Sequence, residues 1–202
     1  MEDPFRILGL PRQFDLTHAE VTTAHLRAVS RLHPDRATDE VQRVQMVQEA
    51  AAVGAAKQRV AHDLTRAEEL LKLLGARSFL SAPLAPEFLF ETLEWRDAIE
   101  DACSHGDGAG RAELTVRIRQ RRAEELATLA GAFRIAMPLA ERGLSEHSSS
   151  QSAMPATPAT PDIHGTPAVM SSDLRTALQD AAAALVRLRY LDRMLDRLTG
   201  DP

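Results

Sequence analysis

The fold of this chain is decided by residues 29–40, which read VSRLHPDRATDE. Apolar residues recur at helical spacing on both sides of this stretch, so the sequence predicts one helix over about residues 17–32 and another over about residues 39–61. Pro34 separates the two helices because proline disfavours the helical conformation for the residue before it. His33, Pro34 and Asp35 are therefore predicted at the tip of a helical hairpin, and none of the three is suited to a hydrophobic core.

The hairpin belongs to a predicted N-terminal domain over residues 1–75. Thr17 and Glu20 have the spacing of a capping box at the start of the first hairpin helix. Two sets of apolar residues are expected to face each other across the hairpin: Val21, Ala24, Ala28 and Leu32 on the first helix, and Val44, Val47, Ala51, Val60 and Leu64 after the turn. A further helix is predicted from about residue 66 and ends at Gly75.

The rest of the chain is also predicted to be helical, which makes the fold class all-α. Residues 76–86 contain two prolines and read as a linker. Amphipathic helices are expected at 87–103, 111–137 and 173–198, and Pro138 is expected to end the second of them. Residues 143–172 are rich in Ser, Thr and Pro and are predicted to be a disordered insertion. The three helices of the 87–202 domain must pack together as a bundle, because none can bury its apolar face alone.

Composition excludes several classes of protein. A formal net charge of -5 argues against nucleic-acid binding. We find neither an apolar signal core at the N-terminus nor a stretch of transmembrane length, and we expect a cytoplasmic protein without membrane contact. The seven histidines show no metal-ligand spacing. Cys103 with His105 would be a thiol nucleophile and its base, but the sequence offers no orienting third group. We therefore expect no enzyme activity and no cofactor.

Four stretches in order along the chain resemble the HscB family, the J-domain co-chaperones of iron–sulfur cluster assembly. They are PFRILGLP at residues 4–11, LTRAEELL at 64–71, FLFETLEWR at 88–96 and LRYLDR at 188–193. The resemblance implies that the hairpin with its His-Pro-Asp tip is a J-domain and that residues 87–202 form the family's three-helix C-terminal domain.

The resemblance implies a co-chaperone that stimulates the ATPase of an HscA- or DnaK-type chaperone and brings the iron–sulfur cluster scaffold protein to it. Cluster transfer and protein maturation would follow. The implied chaperone-binding residues are His33, Pro34, Asp35, Arg27, Arg31 and Arg36. The alternative, without a binding function, is a loop that ends the helix and lies beside solvated arginines. A divergent J-domain adaptor with a different client also stays open, as does self-association.

The same resemblance implies a scaffold-binding surface on the helix that begins near residue 87. Its residues are Leu89, Phe90, Leu93, Glu94, Asp97 and Asp101, together with Tyr190 from the last helix. The spacing of Glu94, Asp97 and Asp101 places the three acids on one helical face, next to apolar residues. The alternative is a bundle core with a solvated acidic face. Taken alone, Leu93 favours the core, whereas Phe90 and Tyr190 favour the interface, and Trp95 is assigned to the core or to a domain interface.

Overall fold

The computed structural model describes residues 2–32, 37–150 and 170–200. Within these residues the chain is built from helices without strands, as predicted. The α-helices are α1 (Pro4–Leu8), α2 (His18–Ser30), α3 (Glu40–Ala61), α4 (Asp63–Leu73), α5 (Pro86–Ser104), α6 (Gly108–Ser150) and α7 (Ser172–Thr199). A short 3₁₀ helix, Arg77–Ser81, lies in the predicted linker. None of the helices in this described part combines the length and apolar character needed to cross a membrane.

The start of α2 is fixed by the predicted capping box. The Thr17 hydroxyl accepts a hydrogen bond from the Glu20 backbone N–H at 3.2 Å, and the Glu20 carboxylate accepts from the Thr17 backbone N–H at 2.7 Å. The Thr17 hydroxyl also donates to this carboxylate, and these hydrogen bonds lower the pKa of Glu20. The prediction of a capping box is confirmed, and it sets the residue at which the hairpin begins.

The opposing face of the hairpin differs from the prediction. Of the predicted residues, Val44, Val47 and Ala51 are exposed, whereas Val60 is buried and Leu64 packs against the hydrophobic core, as predicted. Val53 and Ala56 of α3 are buried as well. Burial concentrates in the second half of α3 because α1 packs there as well: Arg59 of α3 donates to the Glu2 carbonyl, just before α1. The valines in the first half of α3, Val41, Val44 and Val47, stay in solvent. On α2 the predicted apolar face is confirmed.

Arg66 fastens α4 to the chain segments around it. Its side chain is buried and donates to three backbone carbonyls: Nε to Val60 at 2.8 Å, Nη1 to Phe14 at 2.6 Å and Nη2 to Ala61 at 3.3 Å. Burial lowers the pKa of Arg66, and the nearby Asp63 carboxylate opposes that shift. The guanidinium thus satisfies buried carbonyls that lie outside regular helix ladders.

Helices α6 and α7 form a long antiparallel hairpin that joins two hydrophobic cores. Residues 129–136 of α6 and 177–188 of α7 pack with α1 to α4 in a first core. The opposite ends of α6 and α7 pack with α5 in a second core, which we call the α5 core: Phe88, Trp95, Ile99, Ala102, Leu114, Ile118, Leu191 and Leu198. The cores therefore divide along α6 and α7. The domain limits at 75 and 87 stay a prediction.

A buried ion cluster holds the middle of this hairpin. The Glu125 carboxylate on α6 is almost fully buried and lies 2.8 Å from Arg121 and 2.8 Å from Arg187 of α7. Arg121 also reaches Glu91 of α5 at 3.4 Å. Because all three long helices contribute charges to this cluster, it fixes α5 against the α6–α7 pair.

Helix α6 runs further than predicted. Pro138 lies inside α6, which continues to Ser150, so the predicted end before Pro138 is wrong. A proline in a helix interior costs about 3 kcal/mol, but here its ring is exposed while the preceding turns, with Phe133 and Ala136, are buried in the first core. Of the predicted disordered insertion, residues 143–150 and Ser172 are helical, and residues 151–169 lie outside the described residues.

Candidate functional site

The hairpin tip is flanked by exposed cationic side chains. Arg27 lies in the last turn of α2 and Arg31 is its C-cap residue; both are exposed. Neither forms an ion pair within the described ranges of the chain. The other four predicted chaperone-binding residues, His33, Pro34, Asp35 and Arg36, lie outside the described residues. After the tip, Asp39 is the N-cap residue of α3, and its carboxylate accepts from the Gln42 backbone N–H at 2.8 Å.

Helix α5 carries a second exposed surface. Its buried face packs into the α5 core, and Trp95 belongs to that core. On the other side Leu89, Phe90 and Leu93 are exposed by 42%, 67% and 45%. The expectation that Leu93, taken alone, is a core residue is therefore wrong: the α5 core is filled by the Phe88, Trp95 and Ile99 side of the helix, which leaves Leu93 on its flank. We call Leu89, Phe90 and Leu93 the α5 apolar surface.

A groove of about 510 Å³ separates this surface from α7. It brings together Leu89, Leu93 and Tyr190, three of the predicted scaffold-binding residues, and Phe90 stands beside it without lining it. The remaining lining residues are Thr92, Arg96, Ile99, Arg193, Met194 and Arg197. The position of Tyr190 is fixed from two sides, since its ring meets Phe88 edge-on at 6.4 Å and the Arg193 guanidinium lies 4.8 Å from the ring centre.

The three predicted acids are exposed on α5 but do not line the groove. Asp97 pairs with Arg96 at 3.6 Å, and Asp101 pairs with the imidazole of His105 at 3.1 Å. Glu94 is exposed on the same helix. The charged side chains that line the groove are Arg96, Arg193 and Arg197, and the resemblance indicated no role for them. Tyr190, Arg193 and Arg197 recur at i, i+3 and i+7 and so share a face of α7, but this spacing does not indicate that the face borders the groove.

The structure gives little support to a catalytic role for Cys103 and His105. The carboxylate of Asp101 does orient the His105 ring, a partner that the sequence did not suggest. Cys103 is exposed, however, and is absent from the shallow depression that Asp101 and His105 help to line. Among the described residues no group of histidine, cysteine and acidic side chains is arranged to hold a metal ion.

The chain is similar to known co-chaperones. The family model described as the HSCB C-terminal oligomerisation domain matches residues 84–146. A co-chaperone protein HscB homolog of Azoarcus sp. is 32% identical over 136 residues, which cover 65% of this chain and 77% of that protein. One from Ralstonia nicotianae is 34% identical over 132 residues, covering 63% and 74%.

Two solved structures share the fold. Chaperone HscB from Vibrio cholerae superposes with a TM-score of 0.63 at 22% identity, covering 98% of this chain and 96% of that one. The human co-chaperone protein HscB superposes with a TM-score of 0.66 at 16% identity, covering 98% and 81%. At these identities the two structures establish the fold alone. The similarity to the Azoarcus and Ralstonia proteins establishes the family.

Proposed function

Since the chain belongs to the HscB co-chaperone family, we propose that it stimulates the ATPase of an HscA- or DnaK-type chaperone and delivers the iron–sulfur scaffold protein to it. In this role the protein binds two partners at two places and makes or breaks no covalent bond itself. A cytoplasmic location, expected from the sequence, belongs to the same proposal.

The chaperone is proposed to bind at the hairpin tip. A co-chaperone can favour ATP hydrolysis only if it contacts one conformation of its partner better than the other. Asp35 supplies an acceptor for charge-assisted hydrogen bonds, and Pro34 limits the conformations of the tip. Arg27 and Arg31 support this assignment because they are exposed cations available to steer an acidic partner surface. His33 and Arg36 complete the proposed site.

The scaffold is proposed to bind at the α5 apolar surface and the adjoining groove. The observation that supports scaffold binding most strongly is the exposure of Leu89, Phe90 and Leu93 on a helix whose opposite side is already buried. Adjacent large apolar side chains in solvent mark protein-binding sites. Glu94, Asp97 and Asp101 are the polar rim of that proposed site, and Tyr190 is its contact from α7.

The test is single-turnover ATP hydrolysis by the organism's HscA- or DnaK-type chaperone, with this protein, with the scaffold, or with both. We expect strong stimulation only when both are present. His33→Gln should abolish stimulation without changing helical content or scaffold binding. Phe90→Ala should weaken scaffold binding about tenfold, as truncation of a central interface residue does.

Ile135→Ala serves as the matched control, because Ile135 is also an exposed apolar residue but lies on α6, outside the groove. It should leave binding unchanged. Stimulation by this protein that is indifferent to the scaffold and to Phe90→Ala would replace the proposal with a J-domain adaptor for a different client. If ATP hydrolysis is not stimulated under any condition, the proposed action on the chaperone is contradicted.

A further inference from the structure

We propose that Arg193 and Arg197 form a cationic wall of the groove that selects the scaffold segment: an apolar side chain that enters the groove, flanked by carboxylates that pair with the two arginines. This inference rests on the proposed scaffold-binding function and gives its groove side a chemical specificity. It assigns binding roles to Arg193, the last residue of the LRYLDR stretch, and to Arg197, neither of which is among the predicted scaffold-binding residues.

The first support is the placement of the two arginines on the groove. With Tyr190 and Met194 they occupy one face of α7, opposite Leu89 and Leu93 of α5. The Arg193 guanidinium lies 4.8 Å from the centre of the Tyr190 ring, and this contact favours a position beside the apolar lining before any partner binds. A preordered cation loses less conformational entropy on binding than a free one.

The second support is the absence of neutralising acids. Neither Arg193 nor Arg197 forms an ion pair with any residue in the part of the chain that the structure describes. The two arginines lack such partners although the protein has a net charge of -5 and although α5, on the other side of the groove, exposes Glu94, Asp97 and Asp101 to solvent. By contrast, Arg121, Arg122 and Arg187 of the α6–α7 pair are held in ion pairs with Glu125 or Asp192.

The third support is the separation of charge across the groove. Acids stand on the outer side of α5, and Arg193 and Arg197 stand on α7, with Leu89 and Leu93 between them; Arg96 of α5 also lines the groove and pairs with Asp97. A partner with a basic and an acidic side can match this surface in one orientation and is repelled in the opposite one. Planar guanidinium groups bind carboxylates with two parallel hydrogen bonds, which makes an acidic protein segment the fitting occupant.

Arg197 also lies in the last turn of α7, where a cation stabilises the helix through its dipole. A structural role of this kind would change thermal stability without changing partner binding. The experiment therefore measures both quantities for each variant.

The test is isothermal titration of the full-length protein with the organism's purified scaffold. The double variant Arg193→Glu/Arg197→Glu should bind about 10- to 100-fold more weakly, because two attractive contacts become repulsive. Arg193→Lys/Arg197→Lys keeps both charges but loses the paired hydrogen bonds of the guanidinium groups, so its affinity should fall between that of the wild type and that of the Glu variant. Raising the ionic strength from about 0.05 to about 0.5 M should shrink the gap between the Glu variant and the wild type.

Arg119→Glu/Arg175→Glu is the matched control: both residues are exposed, neither lines the groove, and the change in net charge is the same. It should bind within about twofold of the wild type. If the groove variant binds like this control while Phe90→Ala still loses affinity, the inference fails and the proposed function stands. If the wild type does not bind the scaffold, both fail. If the groove variant loses self-association instead, measured by light scattering, the occupant is a second copy and the inference is overturned.

Discussion

Phe133 and Phe90 carry the same side chain in opposite environments, so truncating each to alanine separates folding from binding. Phe133 of α6 is 1% exposed, and its ring stacks on Phe14 with centroids 5.3 Å apart and planes inclined by 17°. Phe90 of α5 is 67% exposed. The comparison tests the finding that the segment before α2 shares a core with α6.

The magnitude follows from burial. Removing a fully buried phenyl ring forfeits about 1.5–3 kcal/mol of transfer free energy. The cavity left behind raises the total for Phe133→Ala to about 3–5 kcal/mol. Within that total the stacked pair contributes about 0.5–1.5 kcal/mol. Phe90→Ala should change the free energy of unfolding by less than about 0.5 kcal/mol, since the ring is largely in water in the folded state.

The assay is urea unfolding followed by circular dichroism, in parallel with scaffold titration. Phe133→Ala should lower the free energy of unfolding and leave scaffold affinity unchanged at temperatures where the protein is folded. Phe90→Ala should lower scaffold affinity and leave the free energy of unfolding nearly unchanged. The double variant Phe14→Ala/Phe133→Ala should be less destabilised than the sum of the two single variants, because both remove the same contact.

Equal stability of the two alanine variants would refute the reasoning. So would strict additivity of Phe14→Ala and Phe133→Ala, since the rings would then make no contact in solution. The first result would place Phe133 outside the first core, and the second would separate Phe14 from α6.

Three further outcomes are expected. Arg66→Leu should lower the free energy of unfolding by about 2–4 kcal/mol, because three backbone carbonyls lose a buried donor, and Arg66→Lys should recover little of it in urea unfolding. Glu125→Ala should cost about 3–5 kcal/mol, because it leaves two partly buried arginines without their carboxylate; a thermal transition like that of the wild type would contradict this. The Glu20 carboxyl has a lowered pKa in the folded protein, so its stabilisation is present above its ordinary pKa and is lost as the pH falls through the folded value. Glu20→Gln should flatten that acid limb of the stability curve, and an unchanged limb would contradict the capping box.

Local signals in the sequence were sufficient for most helices. The capping box at Thr17 and Glu20 is a contact between near neighbours, so its residues predict it directly. Pro138 was misleading because the cost of an interior proline is also local, whereas the burial that offsets it comes from α7, far along the chain. Val44 and Val47 were misleading for the same reason. Whether a residue of α3 is buried depends on how far α1 and α4 extend along that helix, and these two valines remain exposed.

The groove shows the same limit at the level of the site. Leu93 reads as a core residue from its apolar neighbours, and only the packing of α5 leaves it on the flank. Arg193 and Arg197 read as solvated charges in a helix that also carries several acids. Their juxtaposition with Leu89 depends on the docking of α7 against α5, a tertiary contact between segments about 100 residues apart, for which spacing gives no signal.

The shared core bears on how the two proposed surfaces cooperate. Beyond the apolar contacts, Arg189 of α7 pairs with Glu68 of α4, and Arg134 of α6 pairs with Asp15 at 2.7 Å. The N-terminal helices therefore rest on the same long hairpin that forms one wall of the groove. A close-packed core resists small displacements, so the shared core of the described helices favours a fixed placement of the two surfaces. Joint stimulation by this protein and the scaffold would then arise from holding two partners at a fixed separation, which favours encounter through effective concentration.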